Sequence, residues 1–393
     1  MLSGKNVVVG ITGGIAAYKT AMLVRLLTKA GANVDVIMTK NAAHFVGPLT
    51  FQTLSGNPVH VDTFKLLDTS DISHTSLADR ADLVIVAPVT ANLIGKYANG
   101  IADDLLTTTL LATVAPVLLA PAMNPKMWNH PAVTENMKTL TARGVAHVGP
   151  EPGEVACKDY GYGRMSEPED ILEAALPLLV KPTLAGRKIV ISAGPTREPI
   201  DPVRYISNRS SGKMGYALAR AAHILGADVT LISGPTALPA PPGVHRINVE
   251  SAEGMLTAVH AAFQQADALI MAAAVSDFRP ADPVEEKLPK DQLHDSLKLA
   301  RNADIVAGLA AEKGKRLVFG FAAETGDADA KAAAKMKRKG LDAIVANDVA
   351  APGIGFDTDE NEVQVIFADG RTVALPRRRK EDLAFAILEA LFG

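Results

Sequence analysis

The chain runs to 393 residues, 48% of them hydrophobic and 21% charged, with a formal net charge of -3 at pH 7. This balance excludes a disordered chain, supplies apolar side chain for two or three domains, and argues against a nucleic-acid partner held by overall charge. A single cysteine, Cys157, leaves no intrachain disulfide, and with no signal-peptide pattern in MLSGKNVVVGITGG it points to a reducing, cytoplasmic setting.

Residues 6–39 read in order as a β-branched run, a glycine turn, an amphipathic helix, a glycine stop and a second apolar run, which is a βαβ unit. Continuous apolar runs follow at 82–88 (DLVIVAP) and 116–121 (PVLLAP). The longest apolar stretch, around 110–123, is broken by Thr113 and Pro116 and falls short of the roughly 18 residues of a membrane span, so no membrane partner is expected. EPEDILEAALPLLVKP predicts a helix that begins near Glu167 to Asp170 and stops before Pro182, with Gly186 releasing the chain. A boundary between domains 1–183 and 184–393 is expected there.

From residue 187 the same order returns: RKIVISAG, a long loop, a helix from Lys213, and GADVTLI, which echoes GANVDVI of the first half. Runs at 267–274, 316–321 and 342–347 complete a second set. All are continuously apolar, as strands covered on both faces must be. The expected fold is therefore α/β, with two doubly wound, three-layer, Rossmann-like domains. EVQVIFADGRTVALP alternates instead, with Asp369-Gly370 as a turn, so the second domain is expected to carry an added antiparallel hairpin. The basic run RRRK at 377–380 reads as a solvated face at the start of the last helix.

Gly10, Gly13 and Gly14 turn the first strand sharply into its helix and leave amide N–H groups and the positive helix end facing a ligand, so an anion is expected. The spacing is not G-x-G-x-x-G, and no acid ends the second strand. Both features weaken a nicotinamide dinucleotide and favour a mononucleotide phosphate, with Thr39 able to donate a hydroxyl hydrogen bond. A plain tight turn is the alternative. In the second half, SAGPTREPIDPVRYISNRSSGKMG is too long for a mere connection. Ser210, Ser211 and Gly212 open a helix at Lys213 and offer hydroxyls, amides and an ammonium to phosphates, while Ser207 and Met214 exclude a Walker A loop.

Taken together, GITGGIAAYK, ISHTSLADRADLVIVAPVTANLIG, APAMNPKMW, ACKDYGYGRM, SNRSSGKMG, AAAVSDFRP, EEKL, NADIVAG and GFAAET carry a resemblance over essentially the whole chain. The sequence resembles the bacterial bifunctional phosphopantothenoylcysteine decarboxylase/phosphopantothenate–cysteine ligases of coenzyme A biosynthesis. The resemblance implies an N-terminal, flavoprotein-type decarboxylase domain with Gly13, Gly14, Thr39, Thr90 and Asn92 on FMN. His74 resembles the active-site base, Asn124 the residue that holds the substrate carboxylate, and Cys157 the proton donor on a glycine-bearing flap whose glycines are expected to let it move. Loss of carbon dioxide from a cysteine carboxylate leaves a carbanion with nowhere to delocalise, so the flavin serves as the electron sink. The family commonly has glycine after this cysteine, where this chain has Lys158.

The C-terminal domain resembles the ligase that joins 4'-phosphopantothenate to L-cysteine with CTP, through an acyl cytidylate, releasing pyrophosphate and then CMP. The resemblance puts Lys287 on the triphosphate and Asp277, Phe321, Lys335 and Lys339 on the nucleotide. It lines the CTP pocket with Ala303, Asp304, Ile305 and Val306, and links Asn208 to the acyl-cytidylate. Mg2+ is expected with the triphosphate, because charge accumulating on the leaving pyrophosphate needs a counter-ion. Pro289 stands where the family has a further lysine, which passes a second phosphate contact to Lys290. A homo-oligomer is also implied, a dodecamer of decarboxylase trimers with paired ligase domains. Three rival readings are a flavin-binding regulatory protein without decarboxylase activity, a tandem dehydrogenase and a flavin-modifying transferase. The joint presence of His74, Asn124 and Cys157, the missing acids, and the ligase half argue against them in turn.

Overall fold

A computed structural model describes residues 2–62, 73–287, 289, 296–324, 328–348 and 358–393, with Ser73, His74, Glu324, Ala328 and Asp348 described by backbone alone. The chain forms two compact units, Met1–Lys181 and Pro182–Gly393.

In the first unit, β1 (Asn6–Ile11), α1 (Ala17–Lys29) and β2 (Asn33–Met38) make the opening βαβ. The alternation continues through α2 (Pro48–Ser55), β3 (Val59–His60), α3 (Ser73–Arg80), β4 (Leu83–Val89), α4 (Ala91–Ala98), α5 (Leu105–Ala112) and β5 (Val117–Pro121). It closes with α6 (Pro125–Trp128), α7 (Pro131–Ala142) and β6 (Ala146–His147). The six strands are parallel and ordered β3-β2-β1-β4-β5-β6. Helices cover both faces, which is why Val8, Val84, Val86 and Leu119 can all be buried in consecutive apolar runs. The order reverses between β1 and β4, and a crevice at the carboxyl ends of these strands is where such sheets bind ligands. A hairpin, β7 (Glu151–Glu154) and β8 (Tyr160–Arg164), leads to α8 (Pro168–Leu179). Pro168 starts that helix at a position where its missing N–H costs nothing.

The second unit repeats the plan: β9 (Lys188–Ala193), β10 (Arg197–Pro199), β11 (Tyr205–Ser207), α9 (Lys213–Ile224), β12 (Asp228–Ser233), β13 (His245–Asn248), α10 (Ala252–Phe263) and β14 (Ala268–Met271). After β15 (Phe278–Pro280) and β16 (Leu299–Arg301) come α11 (Ile305–Ala311), β17 (Leu317–Glu324), α12 (Ala328–Lys339) and β18 (Ala343–Asp348). The chain ends with β19 (Glu360–Phe367), β20 (Thr372–Arg379) and α13 (Lys380–Phe392). The sheet order is β13-β12-β9-β14-β17-β18-β19-β20, with the last two strands antiparallel as the alternation at 362–376 predicts. Gly370, at φ +91°, makes the turn.

Two expectations are corrected here. The long segment after β9 contains the antiparallel pair β10–β11, whose ladder satisfies backbone groups that a bare loop would leave to water. The run at 377–380 is solvated at Arg377, Arg378 and Arg379 as expected, but these three lie on a strand and not on the last helix, and Lys380 is buried. Arg378 and Arg379 extend the β20 ladder opposite Asn361 and Glu360, and Lys380 opens α13 at only 5% exposure with Nζ donating to Thr358 O at 2.6 Å. Among the described residues no helix is long and apolar enough to cross a membrane.

Candidate functional site

The turns after β1 and β4 are tied across the switch point: Thr12 Oγ1 donates to Pro88 O at 2.7 Å and accepts from Thr90 N at 3.2 Å. A Cβ on Gly13 would stand 2.5 Å from Asn41 Cβ, so glycine lets this loop pass the one after β2. A Cβ on Gly14 would lie 3.6 Å from Pro88 Cγ and 3.8 Å from Thr90 Cγ2, which places Gly14 beside Thr90. Neither α1 nor α4 has a side-chain cap. Their N-terminal amides and positive helix ends suit a phosphate. Asn92 is exposed in the first turn of α4, and Thr39, just past β2, accepts from Ala42 N at 3.3 Å. The five residues expected on FMN thus sit at the carboxyl ends of three neighbouring strands, β2, β1 and β4. The role expected of His74, in the first turn of α3, falls on a side chain outside the described residues.

Asn124 caps α6, accepting from Lys126 N at 2.8 Å through Oδ1. Its Nδ2 donates to Cys157 Sγ at 3.1 Å and to Asp159 Oδ2 at 2.6 Å. Cys157 Sγ is 3.7 Å from the same carboxylate oxygen. The Asn124 hydrogen bond, then the charge of Lys126, hold the Asp159 carboxyl below its ordinary 3.8. Two expected residues, 33 positions apart, therefore meet, and sequence reasoning missed the third member of the group. The signal for Asp159 is the hairpin. Lys158 N donates to Val155 O at 2.8 Å and Val155 N to Asp159 O at 2.9 Å, so Ala156 and Cys157 form the tip. Lys158 holds φ +64°, the left-handed position where three-residue hairpin loops favour glycine.

The glycines of YGYGR, expected to give the flap freedom to move, lie in close packing. Met123 N donates to Gly163 O at 3.0 Å, and a Cβ on Gly163 would collide with Met123 O. A Cβ on Gly161 would stand 3.0 Å from Pro125 Cβ. Both glycines let β8 lie against the segment that carries Asn124.

In the second unit, Asn208, Asp277, Ala303, Asp304, Ile305, Val306, Phe321, Lys335 and Lys339 all line one cavity of about 750 Å3, together with the Ser210–Lys213 segment. Asn208 Nδ2 donates to Ala274 O at 3.4 Å and Val275 O at 3.1 Å, pinning the loop before α9 to the segment after β14. Gly212, at φ +77°, allows a close approach: a Cβ there would be 2.8 Å from Thr236 Cγ2 and 3.4 Å from Gly194 Cα. Asp304 caps α11 through Ala307 N at 3.1 Å and binds Lys339 Nζ at 2.9 and 2.8 Å. Burial pushes its carboxyl up, but the Lys339 and Ala307 hydrogen bonds and the charges of Lys339 and Lys335 outweigh this and hold it below 3.8. Lys213, expected to face phosphates, lines the cavity while donating to Asp359 at 2.7 Å.

Lys287 is exposed and is not among the lining residues, and the contact expected of Lys290 lies outside the described residues. Asn361 and Lys380 also line the cavity. Sequence reasoning missed them, because a basic run at a strand end looks like any solvated one. Among the described residues no group of three His, Cys, Asp or Glu is placed to hold a metal ion.

One unit with uncapped helix ends at its switch point and a thiol beside an amide, followed by one with a lysine-bearing cavity at its own switch point, define a tandem α/β protein with a candidate site in each unit. The flavoprotein family profile matches residues 1–179, and that of the DNA/pantothenate metabolism flavoprotein C-terminal domain matches residues 184–393. The chain is 50% identical over 395 residues to the coenzyme A biosynthesis bifunctional protein CoaBC of Bacillus subtilis (strain 168), covering 100% of this chain and 97% of that protein. It is 47% identical over 397 residues to the protein of the same name from Escherichia coli (strain K12), covering 99% and 97%. A crystal structure of the C-terminal domain of such a protein is 42% identical, with a TM-score of 0.47, covering 54% of this chain and 97% of that one. The chain belongs to the family of bifunctional coenzyme A biosynthesis proteins.

Proposed function

We propose that the protein is an enzyme with two activities, a CTP-dependent phosphopantothenate–cysteine ligase in the second unit and a phosphopantothenoylcysteine decarboxylase in the first. The ligase joins 4'-phosphopantothenate to L-cysteine. Oxide is a hopeless leaving group, so the carboxylate must first be transferred to CMP, with pyrophosphate leaving. Asn208 faces the acyl cytidylate, Lys335 and Lys339 counter the nucleotide's charge with Asp304 fixed between them and α11, and Phe321, Ala303, Ile305 and Val306 wall the base and sugar. Asp277 lies on the nucleotide and Lys287 on the triphosphate. Magnesium accompanies CTP, held chiefly by phosphates, as that ion usually is.

In the first unit, Gly13, Gly14, Thr39, Thr90 and Asn92 hold FMN, whose phosphate fits the uncapped helix ends. When bound, the flavin supplies the electron sink that loss of carbon dioxide requires. Asn124 binds the substrate carboxylate through its amide, Cys157 holds the proton to be delivered after decarboxylation, and His74 serves as the base. The enzyme is cytoplasmic and a homo-oligomer of decarboxylase trimers and ligase dimers.

The observation that carries this reading is that residues expected for each half-reaction, scattered in sequence, converge within separate units: Asn124 with Cys157, and Asn208 with the Asp304–Lys339 pair. The test is to mix the purified protein with 4'-phosphopantothenate, CTP, magnesium and cysteine and to seek 4'-phosphopantetheine by mass. A colourless protein that cannot be reconstituted with FMN and releases no pyrophosphate from CTP would reject it.

A further inference from the structure

Asp159 belongs to none of the roles above, yet it touches two of the residues that carry them. Its Oδ2 accepts from Asn124 Nδ2 at 2.6 Å and lies 3.7 Å from Cys157 Sγ and 3.7 Å from Lys126 Nζ. An asparagine amide has two N–H donors. Here one serves Asp159 and the other meets Cys157 Sγ at 3.1 Å, so both are used within the cluster. A carboxylate of the protein thus already occupies the donor that the decarboxylase reading reserves for the carboxylate of the substrate, and it comes from the same hairpin tip as the thiol.

We propose that Asp159 is a positioning residue for the decarboxylation: it seats the Cys157 thiol against Asn124 and fills the carboxylate position on that amide until substrate takes it. The identity of the substrate rests on the decarboxylase reading. Two carboxylates cannot share one N–H at close range without repulsion, so substrate binding exchanges one for the other. Asp159 then keeps its contacts with Lys126 and the thiol. The carboxylate on one side of the sulfur and the Asn124 amide on the other hold the thiol in one place.

The chain has one cysteine, so alkylation by iodoacetamide reads Cys157 alone. Asp159→Asn keeps the shape but removes the carboxylate that seats the thiol against Asn124, and alkylation is expected to quicken by about threefold or more because the freed thiol meets the reagent more readily. Asp159→Glu keeps a carboxylate within reach and is expected to stay within about twofold of wild type. With FMN-loaded protein and 4'-phosphopantothenoylcysteine, D159N is expected to lower KM severalfold, because the competing carboxylate is gone, and to lower kcat by about tenfold, because the thiol is no longer placed. A merely structural lesion would raise KM, and that result overturns the proposal. So do equal alkylation rates in all three proteins, or D159E alkylating as fast as D159N. A wild type inert toward that substrate, with alkylation rates ranked as expected, rejects the decarboxylase reading and upholds the Asp159–Cys157 contact.

Discussion

Asn208 spends its side-chain N–H groups on two backbone carbonyls, Ala274 O and Val275 O, and that choice decides what a near-isosteric change does. Asn208→Asp replaces a donor with an anion facing two acceptors. Losing those bonds and leaving lone pairs opposed costs on the order of 1–3 kcal/mol locally, enough to release the loop before α9 from the cavity wall. Ligation by this variant is expected to fall by about tenfold or more, because about 1.4 kcal/mol is a factor of ten, while the flavin absorbance of the other unit stays as it was. Pyrophosphate release from CTP with phosphopantothenate reads the first effect and a visible spectrum the second. Wild-type ligation by N208D would remove Asn208 from the site. Lys158 shows the opposite kind of economy: a left-handed lysine costs about 1–2 kcal/mol, but glycine there would lose about 0.5–1 kcal/mol more backbone entropy on folding, so the two choices differ little.

Helices reach the cavity because small residues let them lie close to the sheet. A Cβ on Gly215 would be 2.5 Å from Ala193 Cβ and 2.9 Å from Ser192 O, so α9 packs directly on β9 and carries the Ser210–Lys213 segment with it. On the other side of the cavity, α11 and α12 are joined by Asp304 and Lys339. The Asp304 carboxyl lies below 3.8 in the folded chain, so on acidification the unfolded chain takes up this proton first. The pair's stabilisation is therefore complete above about pH 4 and is lost as the pH falls through the depressed folded value. Half of the Asp304 side chain is exposed, and solvent screening limits the effect to less than about 1 kcal/mol. Lys339→Ala is expected to lower the urea midpoint at pH 7 and to make no difference near pH 2. A midpoint gap that persists in acid would show that Lys339 acts through packing and not through charge.

At the scale of the whole chain, the sheets were legible because burial on both faces writes itself as continuous apolar runs, and the hairpin because β19 and β20 alternate. Asn124 and Cys157 could be named from motifs, but nothing in the order of residues says that a thiol at a hairpin tip lies 3.1 Å from an amide 33 positions away. Asp159 and Lys380 were illegible for the same reason: their partners, Asn124 and the Thr358 carbonyl, come from tertiary packing, and a charge in a polar stretch looks solvated until the fold supplies them. Each proposed reaction uses residues of a single unit, Met1–Lys181 or Pro182–Gly393, and this predicts how two defective chains behave together. Cys157→Ser is expected to keep the ligase and accumulate 4'-phosphopantothenoylcysteine, because only proton delivery is touched. Asn208→Asp is expected to keep the decarboxylase and to make the intermediate at about a tenth of the wild-type rate or less. Mixed in solution with 4'-phosphopantothenate, CTP, magnesium and cysteine, the two proteins are expected to form 4'-phosphopantetheine after a lag, as the intermediate made by C157S builds up to the KM of N208D. Mass spectrometry over the time course reads both species. If the intermediate accumulates while no phosphopantetheine appears, then N208D has lost its decarboxylase, and the two reactions do not divide between the units as proposed.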